Sequence, residues 1–190
     1  AAIVGEDLGT VPREVSRGLK RHRVAGMFVG QYEFRLPPKS VLRPVPVNVV
    51  ASLNTHDMPP FQAWLDALDI QDRRELGLLK QTEVSRELQT RKKMVRALIK
   101  LLRRRHLGHS GSGFGAVSRA LLAHLASSRA RWELVNLEDL WSETLSQNVP
   151  GTSSERINWR RKVRFSLEQL KRDPAVREQL QLVNRLRRRA

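Results

Sequence analysis

Two apolar runs in this chain stop on acids in the same way, and that pattern restricts the possible fold more than any other feature. Ile3 and Val4 run into Glu6-Asp7-Leu8-Gly9, and Val49-Val50-Ala51-Ser52-Leu53 runs into Asn54-Thr55-His56-Asp57. Proline follows each motif, at Pro12 and at Pro59-Pro60, and helical periodicity begins beyond it. Each segment therefore reads as strand, loop and helix with charge at the strand's carboxyl end, where open α/β sheets and (β/α) barrels place their chemistry. A carboxylate withdrawn from water without partners costs several kcal/mol, so two acids in such places suggest an acid/base pair.

The remaining elements follow the same alternation. Residues 2–5 are expected as a short buried strand and residues 12–22 as a helix with Val15 and Leu19 on one face. Met27-Phe28-Val29-Gly30-Gln31-Tyr32-Glu33-Phe34 predicts a second strand, and the proline-dense stretch from Pro37-Pro38 to Pro46 an irregular connection. Residues 47–53 give the third strand. Phe61, Trp64, Leu65 and Leu68 then fall at the i, i+3, i+4, i+7 spacing of an amphipathic helix, where core packing accounts for the aromatics. From about residue 82 to 106, Val84, Leu88, Val95, Leu98, Ile99 and Leu102 mark a long helical stripe with basic flanks, ending in a Gly/Ser loop at 108–113. A helix over 116–127 leads into Trp132-Glu133-Leu134-Val135-Asn136-Leu137, a fourth strand that again ends in acids, Glu138 and Asp139. Beyond the loop Asn148-Val149-Pro150-Gly151-Thr152 the chain reads as helix from Trp159 onward, interrupted at Pro174 and finishing in a basic tail. Four strands alternating with helices predict parallel α/β pairing, yet 190 residues fall short of a closed eight-stranded barrel, which takes roughly 200 or more.

Composition narrows the classes. A hydrophobic content of 40% supports one sizeable core or two small ones. No run of roughly 18 uncharged apolar residues is present, which argues against a membrane span. The opening Ala1-Ala2-Ile3-Val4-Gly5 has neither the basic leader nor the cleavage site of a signal peptide, which fits a cytoplasmic protein, and its start inside an apparent strand predicts a fragment of a longer chain. Zero cysteines exclude disulfides and thiolate metal sites. His106 and His109, three apart at a helix end, read as solvent-exposed, so neither a metal nor a cofactor is expected. The net charge of +16 raises nucleic acid as a partner. Its clusters at Lys92-Lys93, Arg103-Arg104-Arg105, Arg160-Arg161-Lys162 and Arg187-Arg188-Arg189 all lie in segments of helical period, however, and only 5% of the residues are aromatic. Solvated helix faces explain the charge better than a nucleic-acid surface.

Four blocks carry a family signal in their order along the chain: Gly5-Glu6-Asp7-Leu8-Gly9-Thr10-Val11-Pro12, Ser52-Leu53-Asn54-Thr55-His56-Asp57-Met58-Pro59, Asn136-Leu137-Glu138-Asp139-Leu140-Trp141, and Gln147-Asn148-Val149-Pro150-Gly151-Thr152 with Asn158-Trp159-Arg160-Arg161. Together they resemble the amylomaltase or disproportionating-enzyme family, the 4-α-glucanotransferases of the α-amylase clan. The resemblance covers roughly residues 1–170 and implies a (β/α)8 TIM barrel whose fifth through eighth strands these blocks would be. The chain would then be the C-terminal half of a catalytic barrel, with a helical insertion at about 60–128 and a basic helical tail at 171–190. The implied substrates are α-1,4-glucans (maltodextrins, starch or glycogen segments), and the implied partner is the missing N-terminal half of the barrel.

By this resemblance Glu6 is the general acid/base, Asp57 the carboxylate that stabilises the distorted sugar, and His56 a hydrogen-bond donor to that sugar. Asn148 is a substrate contact, and Asp7 either a sugar contact or a support behind Glu6. Retaining transfer needs an acid to protonate the leaving glycosidic oxygen, a nucleophile about 5 to 5.5 Å away to hold the glycosyl group, and the same acid acting as base when the acceptor arrives. Asp57 would strengthen its hold on ring hydroxyls as the oxocarbenium-like state forms. The chain departs from the family in the nucleophile: an aspartate in an Arg-x-Asp-His-Phe type motif is expected and none occurs. Pro60 stands where relatives often carry threonine.

Without the resemblance, Glu6 and Asp57 read as acids at helix N-termini, Asn148 as a turn residue, and Trp132, Trp141 and Trp159 as packing residues more than sugar platforms. Two other classes stay open: a basic module that binds nucleic acid through its helical arginines, and a non-catalytic half barrel that docks through open sheet edges.

Overall fold

The computed structural model describes residues 1–36, 41–105 and 114–190. Pro37-Pro38 of the proline-dense stretch, the Gly/Ser loop at 108–113, and His106 and His109 lie outside the described residues. In chain order the elements are α1 (Arg13–Arg21), β1 (Gly26–Val29), α2 (Gly30–Glu33), β2 (Val49–Ser52), α3 (Phe61–Leu65), α4 (Leu68–Glu75), α5 (Gln81–Arg104), α6 (Phe114–Ala126), β3 (Trp132–Leu134), α7 (Leu137–Leu140), α8 (Leu167–Arg172) and α9 (Pro174–Arg187).

The three strands form a parallel sheet in the order β1-β2-β3, with Gly26 opposite Val49 and Val50 opposite Trp132. On the outer side of β1 the chain start adds one parallel bridge, Val4 to Ala25. Every connection between neighbouring strands is a crossover, so all strands present their carboxyl ends along one edge of the sheet. Val49, Ala51 and Leu53 alternate onto the face that packs with Phe28, Leu98, Leu121 and Leu125, and this is the main core. Phe34, Phe61 and Trp64 cluster at one end of it, with Phe61 and Trp64 stacked at 5.7 Å between centroids. Arg91 lies 4.3 Å over the Trp64 ring and grips Asp69 through both guanidinium nitrogens at 2.8 Å, which fixes α5 against α4.

Several expected boundaries move, each for a local reason. The segment at residues 2–5 makes a single bridge, since only the bonds from Gly5 N–H to Ala25 and from Ala25 N–H to Ile3 tie it to the sheet. The second strand stops at Val29, because Gln31 N–H turns to the carbonyl of Leu53 at 3.0 Å and Gly30–Glu33 coils into α2. The fourth strand stops at Leu134, and Glu138 and Asp139 fall in the first turn of α7, where the helix N-terminus favours acids. The helix expected from Trp159 starts only at Leu167, behind a capping box of Ser166 and Gln169. Ahead of it, Arg161 is drawn to the carbonyl of Leu145 and the carboxylate of Glu143, which holds the segment to the preceding loop. At Pro174 the helix restarts, with Asp173 accepting from Val176 N–H at 2.9 Å. The basic end of the chain is packed: Val176 joins Leu122 and Leu140 in a small core, and Arg187 donates to the carbonyls of Ser128 and Ala130 at 3.0 and 2.7 Å. Among the described residues no helix is long and apolar enough to cross a membrane.

Candidate active site

Loop residues 54–61, leaving the carboxyl end of β2, carry two of the candidate residues. Met58 N–H bonds back to the carbonyl of Thr55 at 3.2 Å, which closes a turn with His56 and Asp57 at its two central positions. Both side chains are therefore lifted off the sheet, with 67% and 48% of their surface exposed. His56 Nε2 stands 3.5 Å from Asp57 Oδ2, and Asn148 donates its amide N–H to Asp57 Oδ1 at 2.6 Å. Trp159, 60% exposed, places its ring 5.3 Å from that of His56.

Asn148 and Trp159 come from a loop that is tied to itself. Asn158 Oδ1 accepts from Val149 N–H at 3.1 Å, its amide donates to Thr152 Oγ1 at 2.9 Å, and Thr152 Oγ1 donates in turn to the carbonyl of Val149 at 2.7 Å. Trp159 N–H bonds to the carbonyl of Gln147 at 2.9 Å, and a left-handed φ of 61° at Trp159 brings the indole round beside His56. Below the loop, partial burial pushes the Glu143 carboxyl up, but the N–H groups of Leu145 and Thr144 and the Arg161 guanidinium outweigh it and hold the group below the ordinary carboxylate range. A cavity of about 790 Å³ opens beside this cluster, with Asp57, Pro59, Asn148 and Asn158 on one side and Asp72, ion-paired with Arg156, on another.

Under the turn lies a buried polar network that sequence reading did not assign a role. Asp139, 4% exposed, accepts from the Asn54 amide at 3.2 and 3.0 Å and from the backbone N–H of Phe61 at 2.8 Å. Asn136 donates to both oxygens of Asn54, at 3.0 Å to its carbonyl. Gln31 donates to the carbonyl of Pro59 at 3.1 Å. Burial pushes the Asp139 carboxyl up to about 6, against the bonds from Phe61 and Asn54, which act to lower it. The available signal was a carboxamide, Asn54, and an acid, Asp139, at matching places just past neighbouring strands.

Glu6 and Asp7 leave the sheet along the same edge. Their strand segment is two positions from β2, roughly 10 Å at the ladder. Glu6 is exposed and, among the described residues, makes no side-chain hydrogen bond or ion pair. Asp7 Oδ1 accepts from Met27 N–H at 2.7 Å, so the carboxylate takes over the ladder bond where the chain turns away from β1. A Cβ at Gly26 would meet Asp7 Oδ2 at 2.6 Å, so any side chain there would displace the Asp7 carboxylate. The structure thus gathers His56, Asp57, Asn148 and Trp159 into one cluster and sets Glu6 and Asp7 apart on the same edge. Among the described residues no three His, Asp or Glu side chains are grouped to hold a metal ion.

Comparison with known proteins places this arrangement. The family profile described as 4-alpha-glucanotransferase matches residues 1–168. A 4-alpha-glucanotransferase of Haemophilus influenzae is 31% identical over 169 residues, covering 85% of this chain and 24% of the relative. One from Mycobacterium tuberculosis is 31% identical over 167 residues, covering 84% of this chain and 23% of the relative. The chain thus spans about a quarter of the length of the curated relatives it matches. Among solved structures, amylomaltase from Corynebacterium glutamicum superposes with a TM-score of 0.77 at 21% identity, over 96% of this chain and 29% of that one. Amylomaltase from Streptococcus agalactiae in complex with acarbose gives 0.65 at 18% identity, over 96% of this chain and 32% of that one.

Proposed function

The chain belongs to the 4-alpha-glucanotransferase family, and from that premise we propose that its residues form part of an enzyme that transfers α-1,4-glucan segments between maltodextrins by a retaining double displacement. Residues 1–170 would be the C-terminal half of a (β/α)8 catalytic barrel, with the insertion at about 60–128, and residues 171–190 a basic helical extension. The exposure of Val4 on the segment bridged beside β1 and of Leu134 on β3 supports this, because apolar residues at open sheet edges call for a covering partner.

The observation that carries the reading is the Asp57–Asn148 hydrogen bond beside His56 and the exposed Trp159, at the carboxyl edge of a parallel sheet and on the wall of a cavity. A sugar ring on Trp159 would lie against an aromatic face while His56 and Asp57 reach its hydroxyls. Asp57 would tighten on those hydroxyls as positive charge develops at the anomeric carbon, lowering the barrier by differential binding. Glu6, exposed on the same edge, would give its proton to the leaving glycosidic oxygen and recover one from the acceptor hydroxyl. Asp7 would serve by fixing the chain behind Glu6. The nucleophile must come from outside these residues, and transfer would prevail over hydrolysis where sugar acceptors displace water from the cleft.

The test is a maltotriose incubation with the full-length protein that contains this segment and, separately, with the 190-residue chain. The full-length protein should yield glucose and a ladder of longer maltodextrins, and the 190 residues alone neither. A folded full-length protein that yields no ladder would sink the reading.

A further inference from the structure

We propose that Asp139 is a positioning residue that holds the His56–Asp57 turn at both of its ends. The inference rests on the glucanotransferase reading for its functional consequence, and on geometry for the clamp itself.

The turn is carried by residues 54–61. Asn54 marks its beginning and Phe61, the first residue of α3, its end. One buried carboxylate accepts from both: two bonds from the Asn54 amide and one from Phe61 N–H. Asn136, three residues before Asp139 and just past β3, donates to Asn54 as well. A loop whose two ends bond one short acid cannot change their separation without breaking a bond to a nearly fully buried group, which is costly to leave unpaired. The side chains of His56 and Asp57 make no bond into this network, so the clamp acts on them through the backbone of the turn, from which Asp57 reaches Asn148. The two sides of the clamp also join neighbouring strands, since Asn54 follows β2 while Asp139 and Asn136 follow β3. Any shift between those strands would therefore be transmitted to Asp57.

A swap of the two side chains distinguishes this role from general stability. Asp139→Asn alone sets a carboxamide N–H against the Asn54 amide or against Phe61 N–H, so at least one of the three bonds is replaced by two donors facing each other. Adding Asn54→Asp restores one bond between the pair with its direction reversed and keeps the others: the amide at 139 donates to the carboxylate at 54, its oxygen still accepts from Phe61, and Asn136 donates to the new carboxylate. In the full-length enzyme at a temperature well below unfolding, Asp139→Asn should lower kcat about 10- to 100-fold, with KM changed no more than about threefold, the size expected when a reacting group is displaced by about 1 Å. The swap should recover most of that loss. A single variant with a lowered Tm and unchanged kcat would overturn the clamp, as would a folded swap that fails to recover kcat.

If Asp139→Asn does not fold, Asn136→Ala removes a half-buried tether to Asn54 and should lower kcat severalfold, and unchanged kcat there counts against the clamp equally. NMR of the His56 ring and the Asn148 side-chain amide supplies a readout that does not depend on turnover. If these signals move in Asp139→Asn and return in the swap while the wild type shows no transferase activity, the clamp stands and the functional reading falls. If they stay fixed in an active enzyme, the reading stands and the clamp falls.

Discussion

The loop after β2 and the segment at the chain start both bring an acid to the same edge of the sheet, and they are held there in opposite ways. The first is anchored at Asn54, Pro59 and Phe61 by side chains of two other segments, and Asp57 has a partner in Asn148. The second hangs on two backbone bonds to Ala25, just ahead of β1, and one carboxylate, Asp7, and its exposed Glu6 makes no side-chain bond or ion pair among the described residues. The asymmetry would suit the two tasks proposed for Asp57 and Glu6. A carboxylate that stabilises charge works best preorganised, whereas a proton donor must exchange protons with the substrate and can gain its final setting from it. It also shows where a sheet is complete: bonds accumulate toward β2, which has a strand on either side, and thin out at the edge.

The sharpest break of this comparison is Glu6→Gln in the full-length enzyme. Loss of the proposed proton donor should reduce kcat by roughly 10²- to 10⁴-fold with modest change in maltodextrin affinity, measured by initial rates and by calorimetric titration. Near-normal turnover would mean that the weakly held edge carries no chemistry and that the acid lies elsewhere. The next largest effect concerns how that edge is held. Gly26→Ala brings a methyl group to 2.6 Å from Asp7 Oδ2, so the carboxylate must shift, and the expected outcome is that it gives up Met27 N–H. The loss of a charge-assisted bond predicts a destabilisation of about 2 kcal/mol, read as a lowered denaturant midpoint of the 190-residue chain. An unchanged midpoint would show that the edge does not depend on Asp7.

Sequence reading reached the alternation of strands and helices and the long helix at Gln81–Arg104, because each has a strong apolar period that tertiary contacts reinforce. It overran the strands at Gly30 and Val135, where the residues favour strand but the chain bends to meet the end of β2 or to start α7. Burial is set there by neighbours that no local window contains. At the candidate site, His56, Asp57 and Asn148 were nominated from motifs and the structure brings them together. The clamp was not legible, since Asn54 and Asp139 lie 85 positions apart and their pairing exists only once β2 and β3 are side by side. In the sequence Trp159 reads, like Trp132 and Trp141, as packing more than a sugar platform, since tryptophans usually pack, and the left-handed backbone at its exposed position goes with the loop's own bonds.

The smallest effect tests what a buried acid costs without a clamp's partners. Glu133 lies opposite Ala51 in the sheet, and among the described residues neither of its carboxylate oxygens has a hydrogen-bond partner. Burial pushes its carboxyl up to about 7, only partly offset by Arg187, from an ordinary value of 4.5. A carboxyl raised by folding stabilises fully below the unfolded value, and that contribution is lost as pH rises through the folded one. Glu133 thus costs the folded chain nothing below about pH 4.5, where it is neutral in both states, and the full desolvation of its charge once pH passes 7. Glu133→Gln, which keeps the shape and removes the charge, should raise Tm by about 2–4 °C at pH 8, and the gain should fade toward pH 4.5. Asp139, raised to about 6, adds stability on acidification in an overlapping window, while His124, lowered by burial and then by Arg105 to about 4, removes it as pH falls from 6.5. The difference between wild type and Glu133→Gln cancels both and isolates the one acid. If that difference has the opposite sign at pH 8, the Glu133 carboxylate has a partner that stabilises its charge, and the contrast between a clamped and an unclamped buried acid disappears.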